Sequence, residues 1–277
     1  MRTAGFNTKF LKTLLFLILF RVAAYPQNVP LTNGFAHNDY WHKRPLFDAL
    51  ENGYRYIEAD IFLVDGQLVV AHVFPFFKGS RTLEKLYLQP LFEKVNNKSE
   101  PYVSKASPVT LLVDIKTGAN STYDALRPLL EKYKSMLSGY EHGRFVQRAV
   151  TIVLSGHKPY RTVKQEDDRM VFIDEDLRHM DRDSLGTEVY PMSSCNYNAL
   201  MKWDGTGECP AAERQKLCAY IRRAHSFGKK VRLWASPENR TVWAELLRCG
   251  VDLINTDQLV DLRNFLTTTF ASTKKIN

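Results

Sequence analysis

The stretch that decides the fold is Arg55-Tyr56-Ile57-Glu58-Ala59-Asp60-Ile61-Phe62, in which apolar residues enclose two acids. Aromatic and β-branched residues favour a strand, and the side chains of a strand alternate between its two faces, so Glu58 and Asp60 point the same way. Residues 64–70 carry an Asp-Gly turn between β-forming residues. This pattern predicts a hairpin directly after the strand.

Seven further strand-like stretches alternate with helical patterns along the chain. We predict strands at 33–37, 110–115, 150–154, 170–173, 190–193, 230–235 and 252–255, and helices at 45–52, 123–137, 211–227, 241–249 and 258–266. Eight strands separated by crossovers predict an α/β fold, the (β/α)8 TIM barrel, formed as a single domain by residues 25–277.

A long loop at residues 73–108 follows the hairpin and contains a predicted helix from 82 to 95. Long loops in compact domains are usually lids or binding elements. Phe74, Phe76 and Phe77 at its start have three open roles: lining a substrate mouth, touching lipid, or packing beneath the loop. We expect packing, because large apolar side chains are usually buried.

The first 24 residues have the order of an export signal. Basic residues precede the apolar run 14–20, and Val22-Ala23-Ala24 offers small residues for cleavage near Tyr25. We expect residues 1–24 to be the signal peptide of an exported protein (secreted, periplasmic or in the secretory pathway), with an uncleaved membrane anchor as the alternative. The rest of the chain carries 34 basic and 30 acidic residues, a net charge of +4. That weak, dispersed charge argues against a nucleic-acid partner, and the sequence implies no protein partner.

Four cysteines lie in the last third of the chain, at positions 195, 209, 218 and 249. They contain no Cys-x-x-Cys pair, which argues against a cysteine zinc site. One or two disulfides, as in many exported proteins, and buried free thiols both fit this spacing.

Acidic side chains gather at the carboxyl ends of two predicted strands. Asp114 and Lys116 share a face by the same alternation that aligns Glu58 with Asp60. Neighbouring carboxylates repel one another unless a positive charge lies between them, and carboxylate oxygens suit Mg²⁺ or Ca²⁺. We therefore predict one divalent cation, Mg²⁺ or Ca²⁺, held by Glu58, Asp60 and Asp114 at the end of the barrel where active sites lie. Lys116 would supply positive charge for an anionic substrate.

Two histidines, His37 and His72, follow apolar strand residues and complete the group. An imidazole titrates near neutral pH, so two of them can act as base and acid on opposite sides of a reacting centre. Six such groups at the ends of neighbouring strands indicate a functional site rather than coincidence.

The order His37, Glu58-x-Asp60, His72, Asp114-x-Lys116 resembles the superfamily of glycerophosphodiester phosphodiesterases and phosphatidylinositol-specific phospholipases C. Its spacings are similar to those of spider sphingomyelinase-D-like phospholipases. The stretches 36–40, 53–72 and 111–116 are most similar to the branch named for the altered inheritance of mitochondria protein 6.

The resemblance implies that the two histidines are acid and base and that the three acids hold Mg²⁺ or Ca²⁺ beneath a phosphodiester. It also implies that Lys116, Asn38 and Trp234 bind the substrate. Asn38 stands where glycerophosphodiester phosphodiesterases usually have Arg, and Asp114 stands where Glu is more usual.

Together these observations predict a phosphodiesterase, a phosphoric diester hydrolase whose substrate is a small phosphodiester or a phospholipid head group. A transient contact with a membrane surface is an open option. Two alternatives also stay open. One is a metal-independent phospholipase C-like lyase, in which Glu58 and Asp60 only form hydrogen bonds. The other is a catalytically inactive exported binding module.

Overall fold

A computed structural model describes residues 30–75, 79–97, 103–180 and 186–273. The expected signal peptide and the side chains of Phe76 and Phe77 lie outside these ranges. The strands within them are β1 (Gly34–Ala36), β2 (Tyr56–Val64), β3 (Gln67–Val70), β4 (Val109–Ile115), β5 (Gly139–Glu141), β6 (Arg144–Val146), β7 (Val150–Gly156), β8 (Val171–Asp176), β9 (Met192–Asn196), β10 (Lys230–Trp234) and β11 (Leu253–Thr256).

Eight of these strands, all except β3, β5 and β6, form one closed parallel barrel. The barrel closes because β1 pairs with both β11 and β2. The predicted single-domain (β/α)8 barrel is confirmed. The predicted hairpin is also present, since β3 pairs antiparallel with β2. Asp65 and Gly66 both have positive φ at its turn, as a tight two-residue hairpin requires.

The α-helices of the described residues lie in the connections between strands, except the last helix, which follows the last strand. They are α1 (Phe47–Glu51), α2 (Gln89–Asn96), α3 (Ala119–Lys132), α4 (Tyr160–Gln165), α5 (Ala211–Ser226), α6 (Arg240–Cys249) and α7 (Leu259–Thr273). The helix predicted at 123–137 begins four residues earlier, after Gly118, and ends at Lys132. Among the described residues, no helix has the length and apolarity needed to cross a membrane.

The long loop after β3 contains a π-helical turn, Glu84–Leu88, that runs directly into α2. This confirms the helix predicted at 82–95. Phe74, however, is 66% exposed, so the expectation that it packs beneath the loop is wrong.

A buried acid joins this loop to the segment after β1. Oδ2 of Asp39 accepts hydrogen bonds from the backbone N–H of Leu46 (2.6 Å) and from the hydroxyl of Tyr87 (2.9 Å). Burial raises the pKa of Asp39 to about 6 and outweighs the opposite effect of these two hydrogen bonds.

The barrel interior has an apolar lower layer and a polar upper layer. The lower layer consists of Phe35, Leu112, Val153, Phe172, Met192 and Leu253. Because side chains on one face of a strand recur every second residue, the positions two residues further on also point inward. They are His37, Asp114, Ser155, Asp174, Ser194 and Asn255. The sequence thus places polar groups on the same side of the barrel from six strands at once.

The cysteines divide into two kinds. Cys218 on α5 and Cys249 on α6 form a disulfide, whereas Cys195 and Cys209 are buried free thiols. Both readings of the sequence are therefore realised, one for each pair.

Candidate active site

Three carboxylates meet on the inner face of β2 and β4, where the two strands pair. Glu58, Asp60 and Asp114 each offer an oxygen, and these oxygens lie within 4.8 Å of one another. The β2–β4 register sets Asp60 directly beside Asp114. Three hard oxygen ligands in this arrangement fit a divalent cation such as Mg²⁺ or Ca²⁺. The predicted ligand set is thus assembled from two neighbouring strands.

Two cations of the chain itself already contact these acids. Nζ of Lys116 lies 3.0 Å from Oδ2 of Asp60 and 3.4 Å from Oδ1 of Asp114. Nη1 of Arg232, which points inward from β10, donates to Oε1 of Glu58 at 3.1 Å. Lys116 is about a third exposed, whereas Arg232 is buried. The first can therefore reach a substrate, and the second belongs to the interior.

The surroundings shift the pKa values of Asp60 and Glu58 in opposite directions. Burial, then the charges of Glu58 and Asp114, raise the pKa of Asp60 to about 6 against the pull of Lys116. Burial alone would raise the pKa of Glu58, but the charges of Arg232 and His37 hold it below its usual value. A charged Glu58 inside the barrel therefore depends on its cationic neighbours.

His37 sits between two acids. Its Nδ1 hydrogen-bonds Oδ1 of Asp257 at 2.8 Å, and its Nε2 lies 3.4 Å from Oε2 of Glu58. Burial lowers the pKa of His37, but the hydrogen bond to Asp257 and the charges of both acids outweigh it, so the pKa is raised. Asp257 orients the ring and leaves Nε2 directed at the carboxylate cluster.

His72 lies on the other side of the cluster, just after β3. Its Nδ1 is 3.0 Å from the hydroxyl of Tyr40 and 3.3 Å from Oδ2 of Asp60. The ring of Trp41 meets the imidazole edge-on, with centroids 4.8 Å apart. The His72 side chain is 41% exposed, so its free edge can reach a bound molecule.

The other two predicted substrate contacts have different surroundings. Asn38 is buried with positive φ, its Nδ2 donates to both oxygens of Asp257 at 3.3 Å, and its Oδ1 accepts from Tyr40 at 2.6 Å. The Asn38 amide thus connects Asp257, the partner of His37, with Tyr40, a partner of His72. Trp234 ends β10 and is 40% exposed at the mouth of the barrel.

Three residues of this site were not among the sequence candidates: Asp257, Tyr40 and Arg232. Asp257 follows the last barrel strand, as His37 follows the first, so its position at a strand end was the available signal. Arg232 is two residues before Trp234 on β10 and so shares its inward face. The sequence offers no comparable signal for Tyr40.

Comparison with known proteins bears on this site. A family model for the AIM6-like phosphodiesterase domain matches residues 26–174, more than half of the chain. The chain belongs to the AIM6-like phosphodiesterase family. The matched range includes both histidines, the three carboxylates and Lys116. A second family model, for the glycerophosphoryl diester phosphodiesterase family, matches residues 230–259, which include Arg232 and Asp257.

Fungal relatives of the AIM6-like chain extend over most of its length. It is 30% identical to the altered inheritance of mitochondria protein 6 of Eremothecium gossypii, covering 88% of this chain and 72% of the relative. It is 28% identical to that of Lachancea thermotolerans (82% and 64%) and 27% identical to the homolog of Arthroderma benhamiae (81% and 80%).

The fold is shared with a solved enzyme. The crystal structure of a glycerophosphodiester phosphodiesterase from Parabacteroides distasonis superposes with a TM-score of 0.55 at 16% identity, covering 87% of this AIM6-like chain and 97% of the bacterial one. At that identity the likeness establishes the barrel fold.

Proposed function

We propose that this AIM6-like chain is a phosphodiesterase that cleaves a small phosphodiester or a phospholipid head group with one divalent cation. The observation that carries the proposal is the position of the two histidines. Each is held by an acid, and they flank one cluster of three carboxylates. Paired imidazoles beside a cation site suit displacement at phosphorus.

The proposed roles follow from which ring nitrogen is engaged. Asp257 holds Nδ1 of His37, and Tyr40 with Asp60 holds Nδ1 of His72, so each Nε2 is available for proton transfer. One histidine takes the proton of the attacking hydroxyl while the other protonates the leaving oxygen. Attack by water gives a phosphomonoester and an alcohol, and attack by a substrate hydroxyl gives a cyclic phosphate and an alcohol.

The cation would be held by Glu58, Asp60 and Asp114. When bound, a divalent ion stabilises negative charge on the phosphoryl oxygens. Lys116 would add a second positive charge at the same place, since it is half-buried beside Asp60 and Asp114. We propose that the exposed Trp234 contacts the alcohol portion of the substrate and that Asn38 acts through the orientation of His37.

The first experiment combines metal removal with histidine variants. The purified chain is assayed on glycerophosphodiesters and on phospholipid vesicles, with product analysis, after EDTA treatment and after addition of Mg²⁺ or Ca²⁺. We expect EDTA to abolish turnover and the ions to restore it. His37→Asn and His72→Asn should each cost roughly 10²–10⁴ in kcat. His142→Asn is the matched control, because His142 is 95% exposed on the β5–β6 turn.

Other outcomes separate the alternatives. Full turnover in EDTA, by protein shown to be free of metal, would favour the metal-independent lyase. In that case Lys116 supplies the positive charge at the substrate. A folded chain with no turnover on any of these substrates would favour the inactive binding module.

We also propose that the protein is exported and touches a membrane surface during catalysis. The Cys218–Cys249 disulfide supports export, because disulfides persist in oxidising compartments. Trp41 and Phe74 support the contact, since both are large, exposed apolar residues. The Trp41 ring contacts the ring of His72, and Phe74 follows His72 by two residues. Trp41→Ser and Phe74→Ser should weaken co-sedimentation with phospholipid vesicles. Phe145→Ser, an exposed aromatic at the amino end of the barrel, should not.

A further inference from the structure

The loop that carries Asp257 is held by a single carboxylate from the neighbouring loop. Glu238 accepts hydrogen bonds from the backbone N–H of Asp257 (2.9 Å to Oε1 and 3.1 Å to Oε2) and from that of Gln258 (3.3 Å). It also accepts a hydrogen bond from the hydroxyl of Thr256. Three consecutive residues at the end of β11 are thus tied to one side chain.

Glu238 can act as a clamp because its own loop is constrained at both ends. Ala235, directly after β10, has φ of 56°, a left-handed conformation that non-glycine residues rarely adopt. On the other side, the side chain of Asn239 caps α6 by accepting from the N–H of Val242 and donates to the carbonyl of Asp204. The backbone on both sides of Glu238 is therefore fixed, and the Glu238 side chain extends to the loop that follows β11.

The Asp257 side chain needs such support because burial does not hold it. It is 39% exposed. Its side-chain partners are His37 and Asn38. A carboxylate this exposed would turn toward water if its backbone could move, and Nδ1 of His37 would lose its acceptor. The placement of the ring therefore depends on the backbone that Glu238 ties down.

We propose that Glu238 is a positioning residue for the acid–base pair: it fixes Asp257, and Asp257 fixes the tautomer and orientation of His37. The effect on kcat that this inference predicts rests on the proposed function. The alternative is a purely structural role, in which Glu238 only stabilises the turn between β11 and α7. The two differ in whether the effect of Glu238 reaches His37.

A double-mutant cycle on kcat separates them. Glu238→Ala should lower kcat at least roughly 10-fold with KM nearly unchanged, because an oriented base acts in the reaction step. In an Asp257→Ala background the same change should lower kcat less than about 2-fold, since the intermediary is already gone. Glu166→Ala is the control, because the Glu166 carboxylate also accepts hydrogen bonds, from Tyr123 and Arg127, but precedes β8 at the amino end of the barrel. It should lower Tm without changing kcat.

A spectroscopic measurement tests the inference without turnover. Two-bond ¹⁵N–¹H spectra of protein labelled with ¹⁵N-histidine distinguish the two neutral tautomers of His37, with His37→Asn giving the assignment. We expect the Nδ1–H form in the unmodified chain and a shift toward Nε2–H in Glu238→Ala. If that variant does not fold, Glu238→Asp keeps the charge at α7 but shortens the reach, and it should show the same shift.

The outcomes are distinct from those of the proposed function. If the unmodified chain cleaves no phosphodiester, the proposed function fails, and the tautomer spectra still test the role of Glu238. An unchanged tautomer in the folded Glu238 variant would overturn the inference. So would an equal loss of kcat with and without Asp257.

Discussion

Replacing Arg232 by Met should show how strongly the barrel interior depends on one buried cation, which lies near both Glu58 and Asp174. The side chains of Arg232 and Glu58 are only 3% and 4% exposed, and the guanidinium also bonds Oδ1 of Asn255 at 3.2 Å. Met keeps an unbranched, flexible side chain that is shorter than that of Arg and carries no charge. The variant therefore leaves a buried carboxylate whose Oε1 has lost the donor it has in the described structure.

The magnitude follows from what Glu58 can do in response. Its cheapest escape is to bind a proton, and from an ordinary pKa of 4.5 this costs about 3 kcal/mol at pH 7. That value lies at the lower end of the roughly 3–5 kcal/mol measured when one partner of a buried pair is removed. It corresponds to a fall in Tm of roughly 6–12 °C for a domain of this size.

The sign of the pH dependence provides a second check. Because its pKa is lowered, charged Glu58 stabilises the unmodified chain above pH 4.5. In the variant the buried carboxyl must instead be protonated, and the free-energy cost of that protonation rises with pH. The difference in unfolding free energy between the two should be about 3 kcal/mol at pH 7 and about 1 kcal/mol at pH 5. Urea unfolding followed by circular dichroism measures it at both values.

Two further variants complete this experiment. Arg44→Met is the matched control, because Arg44 and Glu51 form an ion pair whose side chains are 53% and 54% exposed. Such surface pairs contribute about 0–1 kcal/mol. Combining Arg232→Met with Glu58→Gln should recover part of the loss, since Glu58 no longer carries a charge, while Asp174, 3.8 Å from Nη2 of Arg232, still lacks its cation. A loss below about 1 kcal/mol, or no recovery in the double variant, would refute the reasoning.

Two other predictions address the site and its supporting loop. A Cβ at Gly156 would lie 2.2 Å from Oδ1 of Asp114, so Gly156→Ala should weaken the binding of Mg²⁺ or Ca²⁺, measured by calorimetry. Gly143→Ala, also at positive φ but with open space around it, should leave the affinity unchanged. Equal affinity in the two variants would contradict this. The pKa of Asp39 is raised from 3.8 to about 6. The residue therefore does not change the stability of the fold below pH 3.8, but between pH 3.8 and 6 it lowers the free energy of unfolding progressively, by about 3 kcal/mol in all. Asp39→Asn should remove that dependence, and a difference in unfolding free energy that is constant between pH 4 and 7 would exclude it.

Local patterns in the sequence were sufficient for the barrel and for half of the site. Strand alternation placed Glu58 with Asp60 and Asp114 with Lys116, because inward positions on a strand recur every second residue. Parallel barrel strands end at the same face, so the recognition of eight strands placed His37 and Asp114 at the same end of the barrel. The short β5–β6 hairpin escaped prediction because three-residue strands are too short to show a period.

Only the tertiary structure decided the partners of these groups. Asp257 lies 220 residues from His37 and Arg232 lies 174 residues from Glu58 along the chain. These contacts follow from closure of the barrel, in which β1 pairs with both β11 and β2, so that side chains from β10 and β2 meet in the interior. The sequence alone therefore determined which residues face inward, because that depends on the geometry of a single strand. Which of them touch depends on how eight strands close, and that information is spread over the whole chain.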